Sequence, residues 1–231
     1  MPKTPPPHVG LLGEKPLHAS LKRWCAETGD LIEAPVDGFV IDIVRDDLLI
    51  EIQTRGFAGM KRKVTTLLEN GHRVRIVHPI PVQKWIVKLD DTGEELSRRR
   101  SPKRGSVLDV FAELVSFPAL LANDLLEVEV LLVHEEEYRR HEPGKAWRRK
   151  GWVVQERRLV GVVDARRVAG TEDLRELLPD DLPTPFTTAD LAERLAQPRR
   201  IAQQMAYCLR HAGAIVAVGK AGNAIEYEMT A

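Results

Sequence analysis

Asp42, Glu51 and Gln53 are polar residues set into two otherwise apolar runs, FVIDIV over 39–44 and LLIEIQ over 48–53. If Asp46 and Asp47 fill a two-residue turn between those runs, Arg45 faces Leu48, Val44 faces Leu49, Ile43 faces Ile50, and Asp42 lies opposite Glu51. Directly opposed like charges destabilise a strand pair, so this placement calls for something that offsets the repulsion. A divalent cation does so. Mg²⁺, or Mn²⁺ in its place, takes one or two carboxylates and keeps several waters, which lets a phosphate oxygen enter the shell and a bound water become a nucleophile. Asp42 and Glu51 are therefore the expected metal ligands. Gln53, two residues beyond Glu51, shares its face of the strand and points toward the same place. The bland alternative is a pair of exposed hairpin acids. Asp37 rivals Asp42, but its parity puts it on the other face unless a β-bulge intervenes, and its neighbour Gly38 suits a turn.

The elements that must position these residues are legible around them. Leu17, Leu21, Trp24 and Cys25 recur at helical spacing between Glu14 and about Glu27, and Gly29 closes that helix. Strands are predicted at Leu31–Val36, Phe39–Val44 and Leu48–Ile52. Gly56 opens a second helix, Phe57–Asn70, with Met60, Val64, Leu67 and Leu68 on one side, and a fourth strand runs from Val74 to Pro79. The order is helix, three strands, helix, strand.

With that order in place, the stretch Asp42 to Gln53 resembles the metal-binding motif of the PD-(D/E)XK nuclease superfamily: Asp, eight residues, Glu, one residue, then a third polar position. The resemblance covers roughly residues 14–78. It implies that Asp42 and Glu51 hold Mg²⁺ or Mn²⁺, that Gln53 orients water, and that Glu14 on the first helix assists, which would make all four catalytic residues. Gln53 departs from the pattern, because most relatives carry Lys there and an amide supplies no positive charge to a developing anion. Lys61 or Lys63 on the next helix is the candidate replacement. Glu14 has a second explanation, since an acid in a first helical turn is favoured by the helix dipole.

The last part of the chain reads as a reader of nucleic acid. Pro183 and Pro185 mark a linker, Thr187 or Thr188 caps a helix to Leu195, a longer helix runs from Pro198 to His211, and a hairpin follows at 215–218 and 224–229. Helix, helix and hairpin is the winged-helix order. On the longer helix Ile201, Met205, Cys208, Leu209 and Ala212 share one side, while Arg199, Arg200, Gln203, Gln204 and Tyr207 fall on another. Arg pairs bidentately with guanine and Gln with adenine in a major groove about 12 Å wide, so that side suits DNA. Lys220 at the hairpin tip resembles a wing residue that touches phosphate. The alternative is a winged helix used for protein contacts.

Totals set the outer bounds. Lys plus Arg and Asp plus Glu number 34 each, so any polyanion site must come from local segregation of charge, as in Arg98, Arg99, Arg100, Lys103 and Arg104, or in Arg148, Arg149 and Lys150. Each run reads equally well as a solvated loop. Cys25 and Cys208 sit inside helical patterns and read as buried free thiols, suited to a reducing cytoplasm. The histidines lack metal-ligand spacing, no phosphate loop of the nucleotide-binding type is present, and no span suits a membrane, so neither a nucleotide cofactor nor a membrane partner is expected.

The expected fold class is α/β (α+β), a restriction-endonuclease-like core with a central mixed sheet followed by a winged helix. Its divisions are an extended tail at 1–10, the core at 11–90, a middle α+β segment at 91–182 and the winged helix at 183–231. The middle segment is read as a strand at Trp85–Leu89, a basic loop, a helix at Val107–Leu121, and strands at Leu126–Val133 and about Trp152–Val154. The expected function is a metal-dependent DNA endonuclease. Two readings stand beside it, a DNA-binding regulator or adaptor whose nuclease fold has lost catalysis and a structure-specific or RNA-directed nuclease. Cutting both strands of a duplex needs two active sites or two events, which makes a homodimer a sensible assembly.

Overall fold

The computed structural model describes residues 15–230. The expected tail at 1–10 and Glu14 lie outside the described residues. A mixed sheet is the centre of the molecule, with helices on both faces. Helix α1 (Pro16–Cys25) leads into β1 (Leu31–Val36), β2 (Phe39–Arg45) and β3 (Leu48–Ile52), an antiparallel meander. A single 3₁₀ turn at Phe57–Met60 then opens α2 (Lys61–Glu69), which crosses over to β4 (Arg73–Leu89), parallel to β3. β5 (Glu95–Arg100) folds back on the far half of β4. Long strands β6 (Leu126–His141), parallel to β4, and β7 (Trp152–Ala169), antiparallel to β6, complete the order β1-β2-β3-β4-β6-β7.

Local rules account for the pieces nearest the acids. Pro16 sits in the first turn of α1, where its fixed φ suits the helix and its missing N–H is no loss. At the other end Arg45 donates to the carbonyl of Cys25 at 2.6 Å and pairs with Asp30 at 2.9 Å, tying the helix end to the end of β2. Gly56 takes a left-handed conformation (φ 72°) that glycine adopts without strain, and Glu113 accepts hydrogen bonds from the amides of Gly56 and Phe57 at the start of the next helical turn. One sheet face packs Ile43, Ile50, Ile52 and Val77 against Leu17 and Leu21 of α1. The other packs Leu49, Val74, Ile76 and Val128 against Val64, Leu67 and Leu68 of α2.

The fourth strand does not stop at Pro79. The Val77 carbonyl accepts from the Gln53 amide and the Pro81 carbonyl from the Gly105 amide, so the odd-numbered residues of this stretch direct their main-chain groups to the β3 side. β3 ends opposite Val77, hence the absent N–H groups of Pro79 and Pro81 face an edge with no ladder to break. β4, β6 and β7 therefore run on as a long arm, and the basic run Arg98–Arg100 is an edge strand of it rather than a loop. The helix expected at 107–121 is instead three short turns, 3₁₀ at Val107–Val110, α3 at Phe111–Leu114 and 3₁₀ at Pro118–Ala122, because Pro118 disfavours helical geometry in the residue before it.

A short helix α4 (Gly170–Arg175) joins the sheet to α5 (Thr188–Arg194), α6 (Arg199–His211) and the hairpin β8 (Ile215–Ala221) and β9 (Ala224–Met229). Thr187 caps α5 through the amides of Ala189 and Asp190, and Asp190 accepts from the Thr187 amide in return. Where the sequence reading places a linker at Pro183 and Pro185, the packing is continuous. Ala202, Met205, Ala206 and Leu209 of α6 share one apolar cluster with Phe111, Leu114 and the α2 face of the sheet. No helix among the described residues is long and apolar enough to cross a membrane.

Candidate functional site

The turn at Asp46 and Asp47 has the expected register, with Arg45 opposite Leu48, Val44 opposite Leu49 and Ile43 opposite Ile50. There the ladder stops. Beyond it the strands fork, and two carboxylates take over as acceptors: the Asp42 amide donates to Glu51 Oε1 at 3.3 Å, and the Ile52 amide donates to Asp42 Oδ2 at 2.9 Å. Both carboxylates span the same gap between β2 and β3. The irregularity continues on the other edge of β2, where Glu33, flanked by the pairs Ile32–Ile43 and Ala34–Ile41, adopts a φ of 53°.

Each acid is approached from its own face of the sheet. From α1, His18 Nε2 lies 3.2 Å from Asp42 Oδ2 and Lys22 Nζ 3.5 Å from Asp42 Oδ1, and Lys22 also pairs with Glu33 at 2.8 Å. From α2, Lys63 Nζ lies 2.5 Å from Glu51 Oε1 and donates to the Val40 carbonyl. Burial pushes Asp42 up, but His18, the Ile52 amide and Lys22 outweigh it and hold the carboxyl below the usual range. Glu51 goes the other way. Its burial raises it, the neighbouring charge of Asp42 adds to that, and Lys63 only partly compensates. Two carboxyls of one fork thus titrate apart, a pattern concentrated at functional sites.

Gln53 lies just past the end of β3 rather than on its face, and its side-chain amide turns to the carbonyls of Arg55 at 2.7 Å and Gly56 at 3.1 Å, where it braces the loop into α2. Asp37 stays on the β1–β2 turn at φ 49°, with Asn70 donating to it and His72 beside it, away from the fork. Lys63 rather than Lys61 reaches the fork, at Glu51. The signal was in the helix: Lys63 is three residues from Met60 and four from Leu67, both buried, whereas Lys61 points to solvent. His18 and Lys22 are missed by sequence reasoning, although each follows a buried leucine of α1 by one position. Among the described residues no group of three or more His, Cys, Asp or Glu side chains is arranged to hold a metal ion. A cation at the fork would have two carboxylates to use, Asp42 and Glu51, and would have to share them with His18 and Lys22 on one face and Lys63 on the other.

The second set of expected residues lies on α6. Arg199, Gln203, Tyr207 and Arg210 form one exposed stripe, which with Thr188 and Asn223 lines a groove of about 350 Å³ against the hairpin. Tyr207 leans on His211, ring centroids 4.4 Å apart. Arg200 is exposed beside this stripe, and Lys220 is exposed on β8 near the hairpin turn. Gln204 is half-buried, its carbonyl oxygen shut off without a hydrogen-bond partner, so it sits apart from the exposed row. Arg210 and Asn223 are additions, the first readable from helical spacing and the second only from the tertiary fold. Cys25 and Cys208 are free, and burial pushes both thiols up to about 12, which leaves them inert as nucleophiles.

The chain belongs to the family described as Domain of unknown function (DUF8091), whose model matches residues 15–169, from α1 to the end of β7. It is also similar to a protein of Treponema pallidum (strain Nichols) described as uncharacterized, 28% identical over 181 residues that span 78% of this chain and 72% of the relative. No solved structure matches the chain significantly.

Proposed function

We propose that this protein is a metal-dependent nuclease of the restriction-endonuclease-like type, acting on DNA held by a C-terminal winged helix. The observation that carries the reading is the fork: the β2–β3 ladder ends at Ile43 and Ile50, and the gap beyond it holds Asp42 and Glu51 with the ammonium of Lys63 on Glu51. His18, Lys22 and Lys63 already offset the charge of this pair, so what favours a site is that two differently tuned carboxyls share one gap with an ammonium beside them. The order helix, three strands, helix, strand around it agrees with that superfamily, as does a mixed central sheet covered on both faces.

Mg²⁺ or Mn²⁺ held by Asp42 and Glu51 would polarise a phosphoryl oxygen and lower the pKa of a bound water. The chain's own residues do the rest. His18 and Lys22 keep Asp42 ionised and aimed into the gap. Lys63 brings the positive charge that Gln53 lacks, at the acid two residues before it. Ile43, Ile50 and Ile52 pack the strand pair against α1, so the carboxylates are held on a rigid element. Arg199, Gln203, Tyr207 and Arg210 line a groove whose chemistry suits phosphate and base edges.

One observation favours a second reading, a DNA-binding adaptor without catalysis: the Gln53 amide is committed to backbone carbonyls and turned from the acids. Incubating plasmid and oligonucleotide substrates with the protein and Mg²⁺ or Mn²⁺, with and without EDTA, separates the two. Chelator-sensitive cleavage is the expected result. Salt-dependent binding without cleavage under either metal would leave only the adaptor.

A further inference from the structure

β3 leaves the sheet at Ile52, opposite Val77, and β5 joins β4 only at Arg100, opposite Trp85. Between those points β4 has a strand neighbour on one edge alone, and a cleft of about 440 Å³ opens in the vacated place. Lys84, Lys103, Arg139 and Arg157 line it. Three of these cations are held from behind by two buried acids. Lys84 Nζ lies 2.8 Å from Glu135 and 3.3 Å from Glu137, Arg157 lies 3.7 Å from Glu135, and Arg139 donates to Glu137 at 2.7 Å. Glu135 is fully buried. The other lining acids are committed to the backbone, Glu113 to the amides of Gly56 and Phe57 and Asp109 to the amide of Ser106. Lys103 is exposed and forms no ion pair among the described residues. Four cations and four acids thus balance around the cleft, in a preorganised frame where Lys103 alone of the cations has no acid paired with it among the described residues.

The uncompensated charge lies at the mouth of the cleft and beyond it. Arg99, opposite the cleft-lining Ile86, and Arg100 are exposed and also without ion pairs among the described residues. Over 84–104 and 134–158, which make up the arm, fifteen Lys and Arg stand against nine Asp and Glu, although the whole chain is balanced at 34 each. A row of uncompensated cations, Arg99, Arg100 and Lys103, leading into a cleft lined by further Lys and Arg side chains is the electrostatic footprint of a polyanion. The lining also includes Thr54, three residues after Glu51 in the chain.

We infer that this cleft is a phosphate-binding site for a nucleic-acid strand, with Arg99, Arg100 and Lys103 tracking the backbone along the arm toward the β2–β3 fork. The inference rests on the nucleic-acid reading of the protein but not on hydrolysis. It is separate from the α6 groove, since no residue is shared between the two linings.

Fluorescence anisotropy of short labelled duplex and single-stranded oligonucleotides tests it, on the full chain carrying Arg99→Glu with Lys103→Glu. Both side chains are exposed and unpaired, so the melting temperature should not move. The expected result is a loss of at least tenfold in affinity and a log–log salt slope shallower by about two, one per lost phosphate contact. Wild-type affinity and slope in that variant, with binding lost instead in Arg199→Ala with Gln203→Ala, would overturn the cleft and leave the α6 reader standing. Loss in the cleft variant with no cleavage by any form would support the cleft while removing the hydrolytic reading. A wild-type chain that binds neither oligonucleotide overturns both, and binding to phosphatidylserine vesicles alone would reassign the surface to a membrane.

Discussion

The fork and the arm handle charge in opposite ways. At the fork every ionised group is answered: Asp42 by His18 and Lys22, Glu51 by Lys63, all on a strand pair whose neighbours are fully buried isoleucines. On the arm Arg99, Arg100, Lys103, Arg149 and Lys150 are exposed and form no ion pair among the described residues. Burial makes the difference physical. A carboxylate taken from water must be matched or it will protonate, whereas an exposed guanidinium keeps its hydration and costs little to leave alone. The fork is therefore where a lost partner will be felt in stability, and the arm is where a reversed charge will be felt only by a ligand.

The largest expected exception lies at the root of the arm. Glu135 is fully buried, with Lys84 and Arg157 depending on it, and neither of its oxygens makes a well-aligned hydrogen bond. Glu135→Ala strands those two cations and should cost about 3–5 kcal/mol in chemical denaturation. A cost below about 1 kcal/mol would mean that the arm root behaves like its exposed surface.

Next comes Lys63→Met, which leaves Glu51 buried without its ammonium. The expected loss is about 2 kcal/mol at neutral pH, shrinking in acid as Glu51 takes up a proton. A loss that stays constant with pH would show that Lys63 acts through packing alone.

The two acids of the fork should then respond with opposite signs. Asp42 has a depressed pKa, so it contributes stability above the ordinary carboxylate range that is lost as the pH falls through its lowered value. Asp42→Asn should destabilise the fold at neutral pH, with the difference closing in acid. Glu51 has a raised pKa, so its contribution is complete below the ordinary range and lost as the pH rises through the raised value. Glu51→Gln, which keeps an acceptor for Lys63, should stabilise the fold at neutral pH. Paired unfolding curves across pH check both, and equal signs would end the claim that one gap holds two differently tuned carboxyls. The smallest effect is on the arm, where Arg99→Glu with Arg100→Glu should stay within about 0.5 kcal/mol of the parent.

The parts legible in the sequence are those governed by short-range periodicity. The register from Arg45–Leu48 to Ile43–Ile50 followed from a two-residue turn and strand parity, whereas the expected ladder pair of Asp42 with Glu51 did not form, because their carboxylates take the amides there instead. α1, α2 and the apolar side of α6 followed from helical spacing. The arm was not legible. Pro79 and Pro81 look like a strand end until β3 is known to stop opposite Val77, and Arg98–Arg100 carry no apolar alternation to mark an edge strand. Glu135 and Glu137 resemble solvated acids in a list of residues, and only the cations of β4 and β7 show why they are buried. At the site, the acids were readable but their partners were not. His18, Lys22 and Lys63 reach the fork through helix packing on opposite faces, which no local pattern encodes.

Single-turnover cleavage of a duplex with Mn²⁺, comparing the parent with Glu51→Ala, bears on the fork most directly. We expect the parent to cut and the variant to lose at least about 100-fold in rate while still binding DNA. Cleavage that survives undiminished in Glu51→Ala would place the chemistry elsewhere and contradict the account.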